Sequence, residues 1–137
     1  MALDDWELQE EGNVQHILIS LHQLRACVES LELGTRRTYA VLEPKAGGSY
    51  YQCAGDGGGM LLEKRVGDGP MLRAVVEKGL ARSKQRPCLS FSAGDVELRP
   101  DEWLRRAQVV AILSSVVSDE GEPTWLSWRD ISDRVAL

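Results

Sequence analysis

The residues best suited to chemistry in this 137-residue chain are two histidines and three cysteines. His16 and His22 are six residues apart on a predicted helix, whereas a helical zinc pair needs a spacing of three or four residues. The cysteines are widely spaced and form no C-x-x-C pair; they are Cys27, Cys53 and Cys88. The pattern favours surface histidines and buried thiols in a reducing compartment, with no metal and no cofactor. A cysteine–histidine nucleophile pair stays open as an alternative, because such a pair forms in space rather than in sequence.

Carboxylates are the second source of chemistry. Adjacent pairs such as Asp4–Asp5 and Asp119–Glu120 do not share a helical face, so they are not predicted to work as paired acids and bases. Glu43 and Glu63 fall in or at the end of predicted strands. A carboxylate there is either an acid–base group or the polar half of an alternating pattern, and the second interpretation is favoured. A small α+β enzyme that uses Glu63 or a cysteine is kept as an alternative function.

The glycine-rich segment at residues 54–59 is the candidate for phosphate binding. A phosphate loop leads into a helix and usually supplies a lysine and a hydroxyl, but a strand is predicted next and Met60 replaces the last glycine of G-x-G-x-x-G. The segment is therefore predicted to be a hairpin turn. The basic residues of 77–87 are not interleaved with aromatic residues, so this segment is predicted to be an exposed loop rather than a nucleic-acid site.

The net charge of −5 is concentrated near the N-terminus. Residues 1–32 hold seven acids and one base, and the rest of the chain holds fourteen acids and fifteen bases. An acidic surface argues against direct nucleic-acid binding and permits electrostatic steering toward a basic protein. Because no apolar run is long enough to span a membrane and Met1–Asp5 is acidic, the sequence predicts a cytoplasmic protein without a membrane partner.

The periodicity predicts the elements that must position these residues. Apolar residues at three- and four-residue steps predict a helix over Ile17–Leu31, with Asn13 as its N-cap and Gly34 at its end. Glycine-rich turns then separate short runs of β-forming residues. The predicted strands are Thr38–Glu43, Ser49–Ala54, Met60–Val66, Met71–Val76, Cys88–Phe91 and Val96–Leu98.

A second, more buried helix is predicted from Pro100 to Val117. Trp125 and Trp128 follow an acidic turn, and we expect a terminal strand with both rings on one face, docked beside this helix. The expected fold is a single α+β domain over residues 1–137, with residues 1–12 as a loose lead-in. An antiparallel meander of four to six strands carries both helices on one face.

In the order of these elements, the chain resembles the small immunity proteins of bacterial polymorphic toxin systems. Within that family it is most similar to the group often paired with deaminase toxins, including deaminases that act on double-stranded DNA. The chain ends in the family's manner, with a proline turn and an aliphatic-x-Trp motif at Pro123–Trp128, although Glu122 replaces the usual basic residue. The resemblance runs in order through Ile17–Leu31, Tyr39–Val76, Val96–Glu102 and Trp103–Val117. It implies a packing role for Trp128.

The resemblance implies a protein without catalytic residues that binds a cognate secreted toxin domain and blocks its active site. We expect the interface on the meander turns and the exposed strand face, where tyrosines flanked by carboxylates would form a hot spot. The predicted partner-binding residues are Tyr50, Tyr51, Asp56, Met60, Glu63 and Asp68. The free protein is expected to be a monomer or a weak homodimer, and a non-toxin adaptor or scaffold subunit is a further alternative.

Overall fold

The structure is a computed structural model that describes residues 2–12, 15–32, 37–56, 59–77 and 88–134. In these ranges the protein is α+β, as predicted. None of the helices within them is both long and apolar enough to cross a membrane. The predicted cap at Asn13, the helix end at Gly34 and most of the predicted basic loop lie outside the described residues.

Seven strands form one antiparallel sheet in the order β2-β1-β3-β4-β5-β6-β9. The predicted lead-in contributes β1, which pairs with β3 over five residues. Asp56 pairs with Gly59 across a two-residue connection, so the predicted hairpin at the glycine run is confirmed. A separate hairpin consists of β7 and β8. The strands are β1 (Trp6–Glu10), β2 (His16–Ile17), β3 (Tyr39–Pro44), β4 (Ser49–Asp56), β5 (Gly59–Val66), β6 (Leu72–Val75), β7 (Cys88–Phe91), β8 (Gly94–Glu97) and β9 (Ser127–Asp130).

The strand register assigns every side chain to one of two faces, because directly opposed residues point to the same side of a sheet. The first face carries Leu8, Leu42 and Tyr51, which oppose one another in β1, β3 and β4. Leu8 and Leu42 belong to a hydrophobic cluster that also contains Leu24 and Leu113 of the two helices. The second face carries the intervening residues, which are mostly polar.

The first helix, α1, spans Leu21–Ser30 and is shorter than predicted. Its N-cap is Ser20, whose hydroxyl accepts a hydrogen bond from the Gln23 N–H at 3.1 Å. The predicted start at Ile17 was wrong because His16 and Ile17 pair with β1 and form β2. The helical spacing of apolar residues therefore extends beyond α1 into β2. Ile17 and Leu21, which belong to that spacing, are exposed.

The second helix, α2, spans Arg106–Val117, and its predicted start at Pro100 was wrong. Pro100–Glu102 form a 3-10 turn, after which Leu104 and Met60 exchange two backbone hydrogen bonds of 2.9 Å. This bridge holds the chain extended, so Trp103 lies outside the helix. Trp103 packs instead in a second cluster with Leu61 under the β7–β8 hairpin.

The tryptophans of the tail do not share a face. Trp128 lies in β9 opposite Ala74, whereas Trp125 precedes the strand and is 47% exposed. Because Trp125 lies in a turn and not in the strand, the expectation that both rings share one strand face was wrong. Trp128 contacts the first-face cluster.

Candidate functional site

The second face carries a row of side chains that the structure leaves at least partly uncovered, although Gln15 Nε2 donates to Glu43 Oε1 at 2.5 Å. Ile17 opposes Glu7, Glu7 opposes Glu43, and Tyr50 opposes Arg65. The register of β3 and β4 places Glu43 beside Tyr50, so these five residues cross five strands in one line. Each of them is exposed or partly exposed. We call this line the open row.

A second line of side chains, the polar row, lies next to the open row; Glu63 and Arg73 in it are buried, and Gln52 is partly buried. Gln52 opposes Glu63, and Glu63 opposes Arg73. Gln52 Nε2 donates to Glu63 Oε1 at 2.7 Å, while Nε and Nη2 of Arg73 both donate to Glu63 Oε2, at 2.9 and 2.7 Å. Buried charges are tolerated only when paired and hydrogen-bonded, as these are.

Glu102 is the centre of this network and is fully buried. Its carboxylate accepts hydrogen bonds from Arg129 at 2.7 Å, from Arg134 at 2.6 and 3.2 Å, and from Arg73 at 3.3 Å. Burial alone would raise the pKa of Glu102, but the hydrogen bonds from Arg134, the Arg99 N–H and Arg129, with the charge of Arg73, hold it at about 2. Glu102 therefore ties β6, β9 and the chain beyond β9 to the turn before α2.

A cleft of ≈ 610 Å³ lies over the polar row. Glu63 and Arg73 form part of its lining, and β8 and the segment after β9 supply further lining residues. An adjoining apolar cavity of ≈ 280 Å³ is lined by Tyr39 and Phe91 and shares Gln52 and Glu63 with the cleft. Glu63 and Arg73 at the base of the cleft are paired with each other, and Arg73 also pairs with Glu102.

The structure does not bring the six predicted partner-binding residues to one surface. Tyr50 lies in the open row, and Asp68 is exposed in a turn that Arg65 contacts through a 2.9 Å hydrogen bond to the Gly69 carbonyl. Glu63 is buried in the polar row, and Tyr51 lies on the opposite face, where its hydroxyl donates to Glu122 at 2.8 Å.

The other two residues are part of the interior. Met60 is 0% exposed, and Asp56 is buried beside β7, where its carboxylate accepts from the Ser90 N–H at 3.2 Å. A partner can reach neither side chain in this conformation. Binding by Tyr50 and Asp68 stays a prediction, whereas Met60 and Asp56 have structural roles.

The sequence singled out Glu63 but not the other members of the buried network. Arg73 is a charged residue inside an apolar run, Met71 to Val76, and that is a signal of a buried, paired charge. Glu102 gave no such signal, because an acid after Pro100 fits the first turn of a helix. Its partners come from β6, β9 and the segment after β9, and only the fold brings them together.

The two buried thiols, Cys27 and Cys53, are poor nucleophiles. Burial raises the pKa of Cys53 to about 12 and raises that of Cys27 well above its ordinary range. Cys88 is only partly buried. In the described part of the chain, no three His, Cys, Asp or Glu side chains are grouped so as to hold a metal ion.

We expect a thiol reagent to label the native protein in two phases. Cys88 should react quickly, and Cys27 and Cys53 at least about a hundredfold more slowly, because the thiolate is the reacting species and burial suppresses it. Absorbance with an aromatic disulfide reagent, in buffer and in guanidinium, measures both phases. Cys88→Ser should remove the fast phase alone, and fast labelling of two cysteines would contradict the assignment.

The fold and this second face define a small α+β protein built on a seven-stranded antiparallel sheet, with one half-uncovered face beside a polar cleft. Comparison of the chain with protein-family models, with curated proteins and with solved structures finds no match.

Proposed function

We propose that this protein is an immunity protein, which binds a cognate bacterial toxin domain and blocks its active site, the toxin being a nucleic-acid deaminase. The observation that carries the proposal is the open row, because a sheet face left uncovered beside a cleft is a surface that a partner protein can cover. Tyr50 supplies a rigid aromatic anchor there, and Glu7 and Glu43 flank it with negative charge.

The charge around the open row favours a basic partner. Asp4 and Asp5 are exposed next to β1, and Glu7 and Glu43 stand opposite each other in the row itself. Enzymes that act on nucleic acid carry basic grooves for the phosphate backbone. An acidic surface with an aromatic anchor therefore complements such a groove and speeds the encounter with it.

Three side chains that could act as nucleophile or base, Glu63, Cys27 and Cys53, are engaged or suppressed. Both oxygens of Glu63 accept hydrogen bonds, two of them from Arg73 on one oxygen. The thiols of Cys27 and Cys53 are held protonated by burial. These observations favour binding over catalysis.

Substitutions in the open row are expected to weaken the complex with the toxin domain encoded beside this gene. Tyr50→Ala should raise the dissociation constant at least about tenfold, because it removes a central aromatic anchor. Glu43→Lys should slow association and reduce its dependence on salt. Glu29→Lys makes the same change of charge at an exposed position of α1, and it should leave the dissociation constant and the association rate unchanged. Titration calorimetry and stopped-flow mixing measure the two effects.

Two results would count against this function. If the toxin domain neither co-purifies with the protein nor loses its toxicity on co-expression, the immunity function is wrong. If the complex forms but Tyr50→Ala and Glu43→Lys bind like the parent, the interface lies elsewhere.

One observation favours the alternative of a small enzyme, namely that the cleft is lined by Glu63. To act as a catalytic acid or base, the Glu63 carboxylate would have to give up the hydrogen bond from Gln52 and form one with the substrate. Turnover of a small substrate by the purified protein, abolished by Glu63→Gln, would establish it. Capture of a non-toxin protein instead would favour the adaptor.

A further inference from the structure

Three of the exposed large apolar side chains lie close together at one edge of the sheet. Ile17, Ile19 and Leu21 are 44%, 79% and 42% exposed. Ile17 lies in β2, Ile19 in the segment that follows it, and Leu21 is the first residue of α1. Among the described strands, β2 is the outermost at this end and pairs only with β1. An apolar edge of this kind is normally protected from other chains, so its exposure indicates an interaction site.

The backbone of β2 offers hydrogen bonds at this edge. The Leu18 N–H donates to the Trp6 carbonyl at 2.9 Å, which continues the pairing of β2 with β1 by one residue. In an antiparallel pair the backbone groups alternate between the two sides of the strand. The N–H and C=O of Ile17 therefore point outward, where an added strand could bond to them.

Ile19 is held in place although its side chain is exposed. Its N–H donates to Gln23 Oε1 at 2.6 Å, and the same residue, Gln23, donates its own N–H to the N-cap Ser20. An apolar residue just before an N-cap commonly packs on the fourth helical residue, which here is Leu24. Leu24 is buried in the core instead, so Ile19 is a fixed apolar anchor without a contact of that kind. Pre-ordering of this sort lowers the entropic cost of binding.

The charge beside the edge selects the partner. Glu7 opposes Ile17, and continuation of the same register places Asp5 beside Ile19. A second copy of this chain would bring an equally acidic end of the sheet toward this one, and the like charge disfavours it as the occupant. A segment with basic side chains is favoured for the same reason.

We infer that β2 is a docking edge for an extended segment of a partner protein that carries both apolar and lysine or arginine side chains and adds to the sheet as an antiparallel or parallel strand. Ile17 and Ile19 are the anchors of this edge. The inference rests on the proposed function only for the identity of the partner, which would be the toxin.

A ten-residue peptide of alternating lysine and valine is the probe, titrated into the ¹⁵N-labelled full chain. We expect chemical-shift changes centred on the amides of Ile17 and Ile19, with slower hydrogen exchange at Ile17. Ile19→Lys should weaken this binding about tenfold or more. Val66→Lys is the matched control, since Val66 is 61% exposed and lies in β5, four strands away in the sheet order, and it should bind as the parent does.

Several results overturn the inference: no shifts at β2, equal binding of a glutamate–valine peptide, or self-association through β2 without peptide. The toxin domain separates this inference from the proposed function. A toxin complex that is indifferent to Ile19→Lys and to Ile17→Lys overturns the docking edge and leaves the immunity function standing. Peptide binding at β2 without any toxin complex leaves the docking edge standing and overturns the immunity function.

Discussion

Glu102→Gln is expected to lower the free energy of unfolding by about 3–5 kcal/mol, because it removes the shared partner of buried or half-buried arginines. The carboxylate accepts from Arg73, Arg129 and Arg134 and is itself fully buried. A glutamine amide has nearly the same shape but presents an NH₂ group to guanidinium donors. The arginines would lose the negative charge that balances theirs and one of the oxygen atoms that accept their hydrogen bonds. Little water reaches this site to take the place of that oxygen.

The stabilisation that Glu102 provides should depend on pH. The pKa of Glu102 is about 2 in the folded protein against an ordinary value of 4.5, so the folded state binds this proton less readily than the unfolded state. A depressed carboxyl pKa stabilises the protein fully above pH 4.5, and this stabilisation is lost as pH falls toward 2. The difference in stability between parent and Glu102→Gln should therefore shrink over that window.

Urea unfolding followed by circular dichroism, from pH 7 down to the acid limit of folding, measures both effects. Asp101→Asn is the matched control. Asp101 also pairs with Arg129, at 2.8 Å, but its side chain is partly exposed, so we expect a cost of about 1 kcal/mol or less. Equal costs for the two variants would show that Glu102 is not the centre of the network.

The strands of the middle were predictable because their signals are local. Turns such as the one that connects β3 to β4 contain glycines in the left-handed region, at Gly47 and Gly48, and the β-forming runs between turns are short. The predicted and observed bounds of β3, β4 and β5 differ by no more than two residues at either end. Local propensity and the global fold agree there.

The helix starts were not predictable, because tertiary pairing overrides periodicity at both. His16 and Ile17 fit a helical stripe, but Trp6 and Leu8 supply a strand for them to pair with. Leu104 fits a helix that starts at Pro100, but it bridges to Met60 instead. The first contact pairs two neighbouring strands and the second joins residues far apart in sequence, and helical periodicity registers neither.

The candidate site was predicted only in part, for a related reason. Tyr50 is predicted to bind a partner because it is an aromatic residue in a strand, and the structure leaves it partly exposed beside Glu43. Met60 is predicted to be an apolar anchor at the start of a strand, but it pairs with Gly55 and bridges to Leu104, and it is buried there. The open row itself depends on the register of five strands and on where the β7–β8 hairpin packs. No local pattern encodes either.

Trp128→Ala is expected to lower the free energy of unfolding by about 2–3 kcal/mol, less than for a fully buried tryptophan because the ring is only half-buried. The indole N–H donates to Glu122 at 3.0 Å, and Lys64 Nζ lies 4.3 Å from the ring centroid. Glu122 also accepts from Tyr51 and Lys64, at 2.8 and 2.7 Å. The substitution removes the ring packing, the cation–π contact and one of these hydrogen bonds together.

Trp128→Phe separates these contributions, since it keeps most of the packing and loses the hydrogen bond, and it should cost about 1 kcal/mol. Trp125→Ala is the matched control in the same segment, because Trp125 is 47% exposed, and it should change stability by less than about 0.5 kcal/mol. Thermal and urea unfolding measure all three variants.

The same variants decide whether the tail has a binding role. Trp128 opposes Ala74 and points to the first face, whereas Glu43 and Tyr50 belong to the second. A ring on the first face cannot contact a partner seated on the open row, so Trp128→Ala should bind the toxin domain with unchanged affinity under conditions where it is folded. Loss of binding at unchanged stability would place the interface on the tail, and it would remove the open row from the proposed mechanism of inhibition.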